Sequence, residues 1–439
     1  MSNRIKRIIV WGCGYIGLSD MAYFAEAGID CAGIDTNPAI KDLLIKREYK
    51  KDLLEWLDVD VLDNLNRGKI AFFQITDLPY IKEESLHIIS VPSEKKGNPD
   101  MTVIFSTLEK ICDYEKRSTN ETLNIMIEST MVPGTAEKCY VLVQEHIPDK
   151  TINFCVAPRR DWFVCRHTDM RRLHRVYGTN SEQADRLFSG ILSRVCDNLV
   201  KAIDYQHAEM SKSVENAFRH MDIALANQLS DAFPDMDIRH VLELAGTKWN
   251  IDTYFPSFGT GGYCIPLSSR YLLASAEKEI PLLQSTVEYD MKRPFLIADA
   301  ILSKKHQRIG VLGMTYRKGI KVEKNCPVTT VIKCLTGSGV EVYIEDPMYA
   351  AEEILRLFPE CRILDLNDKL AVDDLDALII YTDHSEFYKI NWTKMLEDRK
   401  RNLTVYDNTG LFEKLGLDLH ENIEYHLTGK KRNDPEYIL

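Results

Sequence analysis

The feature that most restricts this chain is a glycine pattern set between a strand and a helix. An apolar run over residues 5–10 breaks into Gly12-Cys13-Gly14-Tyr15-Ile16-Gly17, and an apolar stretch of helical length, 18–27, follows at once. In such a unit the first glycine allows a tight turn. The second lets the backbone approach a pyrophosphate, and the third lets helix and strand pack closely. The free N–H groups and dipole at the helix N-terminus favour an anion there. A lone GxGxxG is a weak signal, and here both flanks strengthen it. A second apolar run, 29–34, ends in Gly33-Ile34-Asp35, with Asp35 18 residues beyond Gly17. Asp35 can accept hydrogen bonds from ribose hydroxyls and would repel a 2′-phosphate, which favours NAD over NADP. Gly12, Gly14, Tyr15, Ile16, Gly17 and Asp35 are therefore candidate cofactor-binding residues.

The pattern continues along the chain. Apolar, β-branched runs at 70–75, 86–91, 123–127 and 152–156 alternate with helical stretches such as 103–112. This alternation predicts a parallel sheet covered on both faces. From about 181 to 279 strand-like runs give out. Residues 205–233 carry Met210, Val214, Ala217, Met221, Ala224, Leu225 and Leu229 at helical spacing, a long connecting helix that Pro234 would end. A second series starts at Arg308, with strands at 309–312, 340–344, 377–381 and 403–406 and helices at 328–335 and 351–357. The expected fold class is α/β, with two Rossmann-like doubly wound domains joined by a central helical region containing a long helix. The expected divisions are 1–200, 201–300 and 301–439. A length of 439 residues suits two or three domains.

Composition narrows the function class. Hydrophobic residues make up 45% and charged residues 28%, ordinary for a soluble globular protein. The net charge of −11 argues against nucleic-acid or anionic-membrane partners. No apolar run is long enough to span a bilayer, and the first residues lack a signal peptide's apolar centre, so a cytoplasmic location is expected. The 11 cysteines show no CxxC pair and no Cys/His zinc spacing. No metal is expected, and most of these thiols read as reduced, buried small side chains.

One cysteine stands apart. In Phe258-Gly259-Thr260-Gly261-Gly262-Tyr263-Cys264-Ile265-Pro266 a glycine-rich loop places Cys264 just before a proline. Such a loop permits close backbone approach to a ligand. Upstream, Lys212 and Asn216 are four residues apart and share a helix face. A dinucleotide fold with such a cysteine suggests a four-electron oxidation. An alcohol becomes an aldehyde, the thiolate captures it as a thiohemiacetal, a second hydride leaves a thioester, and water releases an acid. A lysine and an asparagine could stabilise the oxyanions on the way.

The blocks GCGYIGL (12–18), ESTMVPGT (128–135), AEMSKSVENAFRHMDIALANQLS (208–230) and GTGGYCIP (259–266), with the region 309–327, resemble the UDP-glucose/GDP-mannose dehydrogenase family over nearly the whole chain. The loop and the central block look closest to the branch acting on UDP-N-acetylhexosamines. The resemblance implies an NAD domain, a central dimerising region and a C-terminal domain holding a UDP-sugar. It implies an enzyme that oxidises the C6 hydroxyl toward a uronic acid, in the service of polysaccharide precursors. It makes Cys264 the nucleophile, with Lys212 and Asn216 holding the oxyanion and Thr130 near the nicotinamide and the reactive water. Val91, Pro92, Ser129 and Thr130 would line the cofactor. Arg219, Phe258, Gly259, Gly261, Gly262, Arg317, Lys318 and Lys324 would join Lys212 and Asn216 on the substrate. A homodimer would form through the long helix.

The departures from the family pattern are selective. Where the family has a glutamate after its proline, Pro158 is followed by Arg159. Where it has an aspartate two residues beyond Cys-x-Pro, Ser268 stands. In the 316–327 block Arg317 replaces a lysine, Lys324 an arginine and Val322 an aspartate. Charge is kept at the first two, but bidentate geometry is not. Two acids suited to general-base work are absent. The alternatives are an atypical enzyme that stops at a two-electron product or a thioester, and a non-catalytic paralogue that binds NAD and a nucleotide-sugar. A dehydrogenase of small hydroxy acids or acyl-CoA shares the first domain but has no use for the second α/β series or the GGYCIP loop.

Overall fold

The computed structural model describes residues 5–79, 83–161, 169–397 and 399–431. The chain divides into two compact units, Met1–Glu215 with Arg270–Lys278, and Asn216–Ser269 with Glu279–Leu439. Cys165 lies outside the described residues.

The first unit is built on β1 (Arg7–Trp11), β2 (Asp30–Ile34), β3 (Ile70–Phe73) and β4 (Ser85–Ile89), a small hairpin of β5 (Glu94–Lys95) and β6 (Asn98–Pro99), then β7 (Thr122–Ile127), β8 (Thr151–Val156), β9 (His174–Thr179) and β10 (Asn198–Lys201). The sheet order is β10-β9-β8-β7-β4-β1-β2-β3. Neighbours run parallel except β8 and β9. β1, β2, β4 and β7 are buried along almost their whole length, which is why they read as unbroken apolar runs. Helices Tyr15–Glu26 and Glu182–Leu192 contribute to one apolar cluster, Thr102–Glu115 and Thr135–His146 to another. The direction of winding reverses between β1 and β4, so the loops leaving these strands part and open a crevice at the sheet's C-terminal edge.

Two strands of this sheet carry no apolar signature. β10 lies inside the stretch where strands were expected to give out, and it is an edge strand with no buried residue. β9 mixes His174, Arg175 and Thr179 into its run. The α/β pattern therefore extends past residue 181.

The second unit holds a six-stranded, wholly parallel sheet of β11 (Arg308–Leu312), β12 (Glu341–Glu345), β13 (Arg362–Ile363), β14 (Ala377–Ile380), β15 (Leu403–Asp407) and β16 (Ile423–Leu427), ordered β13-β12-β11-β14-β15-β16. β13 has only two residues and β16 mixes Glu424 and His426 into an edge, so neither stands out in the sequence. Apolar clusters lie on both faces, with Ile297 and Ile332 in one and Trp392 and Phe412 in the other.

The long helix spans Tyr205–Ala232 and stops just short of Pro234. The division between the units falls within it, after Glu215. It falls also within helix Cys264–Ser275, after Ser269.

The two sheets repeat one local frame. In the first, Gly12 has φ +91 and donates to Ile34 O at 2.8 Å. Asp35 accepts from Cys13 N (2.8 Å) and Asn37 N (2.9 Å). In the second, Gly313 has φ +78 and donates to Glu345 O at 2.9 Å. Asp346 accepts from Met314 N (2.7 Å) and Met348 N (2.9 Å). The frames then diverge. The first runs straight into a helix at Tyr15, whereas the second loops until Pro327. Asp35 is half-buried, but Asp346 is 1% exposed, with His384 Nε2 3.3 Å away.

Candidate active site

The cofactor candidates all belong to the first unit and converge on one edge. Gly12–Gly17 follow β1, Asp35 follows β2, Val91 and Pro92 follow β4, and Ser129 and Thr130 follow β7. Ser129 Oγ donates to Val91 O at 2.7 Å and so ties two of these loops together. Glu209, from the long helix, accepts from Gly134 N at 2.7 Å and Ala136 N at 2.8 Å, and anchors the far end of the Thr130 loop. Burial pushes the Glu209 carboxyl up to about 7, against the pull of those backbone N–H groups.

This edge fits a dinucleotide. A Cβ on Gly17 would lie 1.9 Å from Gly12 O, so the close helix–strand approach requires glycine. A Cβ on Gly14 would meet nothing within 4 Å, leaving open space above the backbone. Gly14 also caps helix Tyr15–Glu26 with no side-chain hydrogen bond, so a bound anion would meet no competing cap.

The thiol lies in the second unit. Cys264 is exposed and is the first residue of helix Cys264–Ser275, where the helix dipole favours negative charge. Among the described cysteines the others are buried, apart from the half-buried Cys334. Burial pushes the thiols of Cys13, Cys31, Cys139, Cys155 and Cys326 up, which keeps them protonated and inert.

Asn216 is 2% exposed. Its Nδ2 donates to Ser268 Oγ at 2.9 Å and toward Cys264 O at 3.4 Å. Ser268 Oγ in turn donates to Cys264 O at 2.7 Å. Ser268, where the family pattern has an aspartate, therefore holds the backbone of Cys264.

The glycine-rich loop is held at several points. Ser257 N donates to Asn227 Oδ1 (2.7 Å) and Phe258 N to Asn408 Oδ1 (2.9 Å). Thr260 donates to Asp290 Oδ1 through its N (2.9 Å) and its Oγ1 (3.0 Å). Asp290 Oδ2 lies 3.2 Å from His220 Nε2, and His220 Nδ1 bonds Ser269 Oγ at 2.9 Å. The loop packs on the 316–327 block, since a Cβ on Gly261 would lie 2.6 Å from Tyr316 Cβ. Gly259, Gly261 and Gly262 thus adjoin the block carrying half-buried Arg317 and exposed Lys318 and Lys324. Arg219 is exposed on the long helix. The Phe258 ring is fully buried against Tyr381, so this candidate contributes to the core with its side chain.

Lys212 belongs to the first unit and lies one turn before Asn216 on the long helix. Its Nζ donates to Glu215 Oε1 at 2.6 Å. Arg160 holds the other oxygen, Glu215 Oε2, through Nε at 2.8 Å and Nη2 at 2.7 Å. Arg159 points the other way. It is buried and bonded to Asp20, to Asp161 and to Ser19 Oγ (2.9 Å), and its Nη1 lies 3.6 Å from Glu128 Oε2 as an ion pair. Burial works against its charge, but Asp161, Asp20 and Glu128 together hold it protonated. Arg175 bonds Glu128 from the other side. Burial likewise drives the Asp20 carboxyl up, with Arg159 pulling it down.

Sequence reasoning missed Glu215, Arg160, Asp290 and His220. Glu215 and His220 stand within the quoted central block, but nothing in their spacing marks the contacts they make.

The chain matches the family models of the UDP-glucose/GDP-mannose dehydrogenase family: the NAD binding domain over 6–196, the central domain over 206–291 and the UDP binding domain over 310–414. It is 27% identical to the UDP-N-acetyl-D-mannosamine dehydrogenase of Pyrococcus horikoshii, over 91% of this chain and 94% of that protein. It is 27% identical to the protein of that name from Methanocaldococcus jannaschii, over 94% and 96%. A solved UDP-glucose dehydrogenase from Pyrobaculum islandicum shares the fold with a TM-score of 0.81 at 19% identity, over 96% of this chain and 97% of that one. No helix among the described residues is long and apolar enough to cross a membrane. The chain belongs to the UDP-glucose/GDP-mannose dehydrogenase family and is an NAD-dependent oxidoreductase acting on a CH–OH group.

Proposed function

We propose that the chain oxidises the C6 hydroxyl of a UDP-N-acetylhexosamine, of the N-acetylmannosamine type, to the uronic acid through a covalent bond to Cys264. The carrying observation is the exposed thiol at the start of helix Cys264–Ser275, its backbone fixed by Asn216 and Ser268. The names of the relatives at 27% identity support the sugar class. Gly12, Gly14, Tyr15, Ile16 and Gly17 receive the pyrophosphate, Asp35 the ribose, and Val91, Pro92, Ser129 and Thr130 the nicotinamide end. The cofactor supplies the hydride acceptor for both oxidations. Cys264 captures the aldehyde, Lys212 and Asn216 stabilise the oxyanions, and Thr130 adjoins the reactive water. Arg219, the 259–262 loop, Arg317, Lys318 and Lys324 bind the nucleotide-sugar.

The working divisions are 1–200 for cofactor, 201–300 for dimerisation and catalysis, and 301–439 for the nucleotide. Met210, Phe218 and Leu225 are exposed on the long helix at seven- and eight-residue intervals. That stripe supports a homodimer through it, measurable by light scattering. The proposed location is the cytoplasm.

A second reading is favoured by one observation. Arg159 is spent in the core and Ser268 on the backbone, so neither supplies the acid the family places there. The enzyme would then stop at a two-electron product or hold a thioester, or the chain would bind its ligands without turnover. Product mass spectrometry with NADH counting decides. Two NADH and one free uronic acid per sugar support the first reading. One NADH, or a persistent adduct, supports the second. Cys264→Ala should abolish the second oxidation, and unchanged stoichiometry in that variant would sink the proposal.

A further inference from the structure

We propose that Tyr49 is a positioning residue for the cofactor's pyrophosphate: its hydroxyl fixes the Cys13–Gly14 peptide so that Gly14 N–H faces the incoming anion. This rests on the reading that the Gly12–Gly17 turn receives the pyrophosphate. Tyr49 lies in the short connection between helices Ile40–Ile45 and Lys51–Trp56. Its hydroxyl donates to Cys13 O, 36 residues back along the chain, at 3.1 Å. At the other end of the same residue, Cys13 N donates to Asp35 Oδ2 at 2.8 Å. Both peptides that flank Cys13 are therefore held by side chains. In a trans peptide the C=O and N–H that share the plane point in opposite directions. A bond that holds Cys13 O on one side thereby aims Gly14 N–H to the other. The same bond polarises the amide and makes that N–H a stronger donor. Gly14 is half-buried, and its N–H meets no acceptor among the described residues. The space beside it is open, since a Cβ there would meet nothing within 4 Å. A constrained backbone donor without a protein partner calls for an acceptor from outside the chain.

The next residue acts on the other neighbour of Gly14. Lys50 Nζ lies 4.2 Å from the centre of the Tyr15 ring. Tyr49 and Lys50 thus hold residues 13 and 15, on either side of the aimed N–H. The turn that presents them carries two left-handed residues that are not glycine, Arg47 with φ +57 and Lys50 with φ +49. Backbone of that kind at long side chains persists only where the surroundings impose it. The Tyr49 ring packs on the apolar cluster of the first sheet, which fixes where its hydroxyl can reach. Burial and the Asp35 carboxylate push the phenol up to about 12, so it stays protonated and donating near neutral pH.

The test uses Tyr49→Phe in the full-length protein, which keeps the ring and its packing and removes only the hydroxyl. Three ligands are compared by titration calorimetry, directly or in competition. NAD and ADP-ribose carry the pyrophosphate, whereas adenosine carries the same base and ribose without a phosphate. We expect NAD and ADP-ribose to bind about three- to tenfold more weakly, and adenosine to bind as it does to wild type. A merely structural role would weaken all three together, so that outcome overturns the proposal, as does unchanged NAD affinity. Should Tyr49→Phe fold poorly, Tyr49→Met supplies a second apolar side chain of similar reach, and the same selective loss is required of it. Gly14→Ala separates the two levels. If it binds NAD like wild type, the underlying placement of the pyrophosphate fails whatever Tyr49 does. If it binds NAD more weakly while Tyr49→Phe does not, only the role of Tyr49 fails.

Discussion

Arg159 offers the sharpest test of the structure, because the family pattern suggests an obvious repair that the fold forbids. Arg159→Met keeps the length of the side chain and deletes its charge. Among the described residues, the buried cation left in contact with Asp20, Glu128 and Asp161 would then be Arg175, through Glu128. Removing one partner of a buried ion cluster costs about 3–5 kcal/mol, because the charges left behind lose both water and counter-ion. For a unit of about 200 residues each kcal/mol shifts Tm by about 2–4 °C, so a fall of about 6–20 °C is expected. Adding Asp20→Asn should recover part of it, since the orphaned carboxylate is gone and the two changes couple. Arg159→Glu restores the family's residue but sets a fourth carboxylate beside Asp20, Glu128 and Asp161. It should yield less folded protein and no gain in activity. Thermal unfolding followed by circular dichroism reads the first two variants, and soluble yield with turnover the third. An Arg159→Met protein within about 1 kcal/mol of wild type, or an active and stable Arg159→Glu protein, would refute a core role for this guanidinium.

The remaining predictions test separate links. Gly14→Ala should fold with unchanged Tm yet bind NAD at least tenfold more weakly by titration calorimetry, because its methyl enters open space above the backbone. Gly17→Ala should lose stability itself, because its Cβ would sit 1.9 Å from Gly12 O. The Glu209 carboxyl stands at about 7 against 4.5 when free, so its contribution is fully present below pH 4.5 and lost as pH rises through 7. Wild type should lose up to about 3 kcal/mol relative to Glu209→Gln between pH 5 and 8, and parallel stability curves would show the carboxyl is not perturbed. Asp290→Ala loses an acceptor that serves Thr260 twice and a carboxylate oxygen that faces His220, and should raise KM several-fold while lowering Tm by a few degrees. An unchanged KM would detach the loop from substrate binding.

Much of the architecture is legible from the chain alone, and for a physical reason. Strands buried on both faces, such as β1, β4 and β7, must be apolar throughout, so they announce themselves. The edge strands β10 and β16 answer to one neighbour and to water, and their polar residues hide them. The glycine fingerprint and Asp35 are readable because backbone geometry leaves no other choice of residue at Gly17. Charged side chains are different. Arg159 and Arg160 are adjacent and identical, yet one is buried among three carboxylates and the other clasps Glu215. Nothing in the dipeptide tells them apart, because Asp20 and Glu215 lie 139 and 55 residues away.

The repeated strand–glycine–aspartate frame has a consequence for selectivity. Both halves of the protein descend to the same hydrogen-bonded corner, so both offer a place where an adenosine could in principle lodge. Asp35 and Asp346 each accept two backbone N–H groups, but in the second half Asp346 also faces His384 and is sealed from water. A ribose hydroxyl arriving there finds no acceptor to displace solvent from. Discrimination between the two sockets is thus achieved by occupancy from within. The side chain that covers the second corner is His384, so a His384→Ala protein is the one in which a second ribose socket would open.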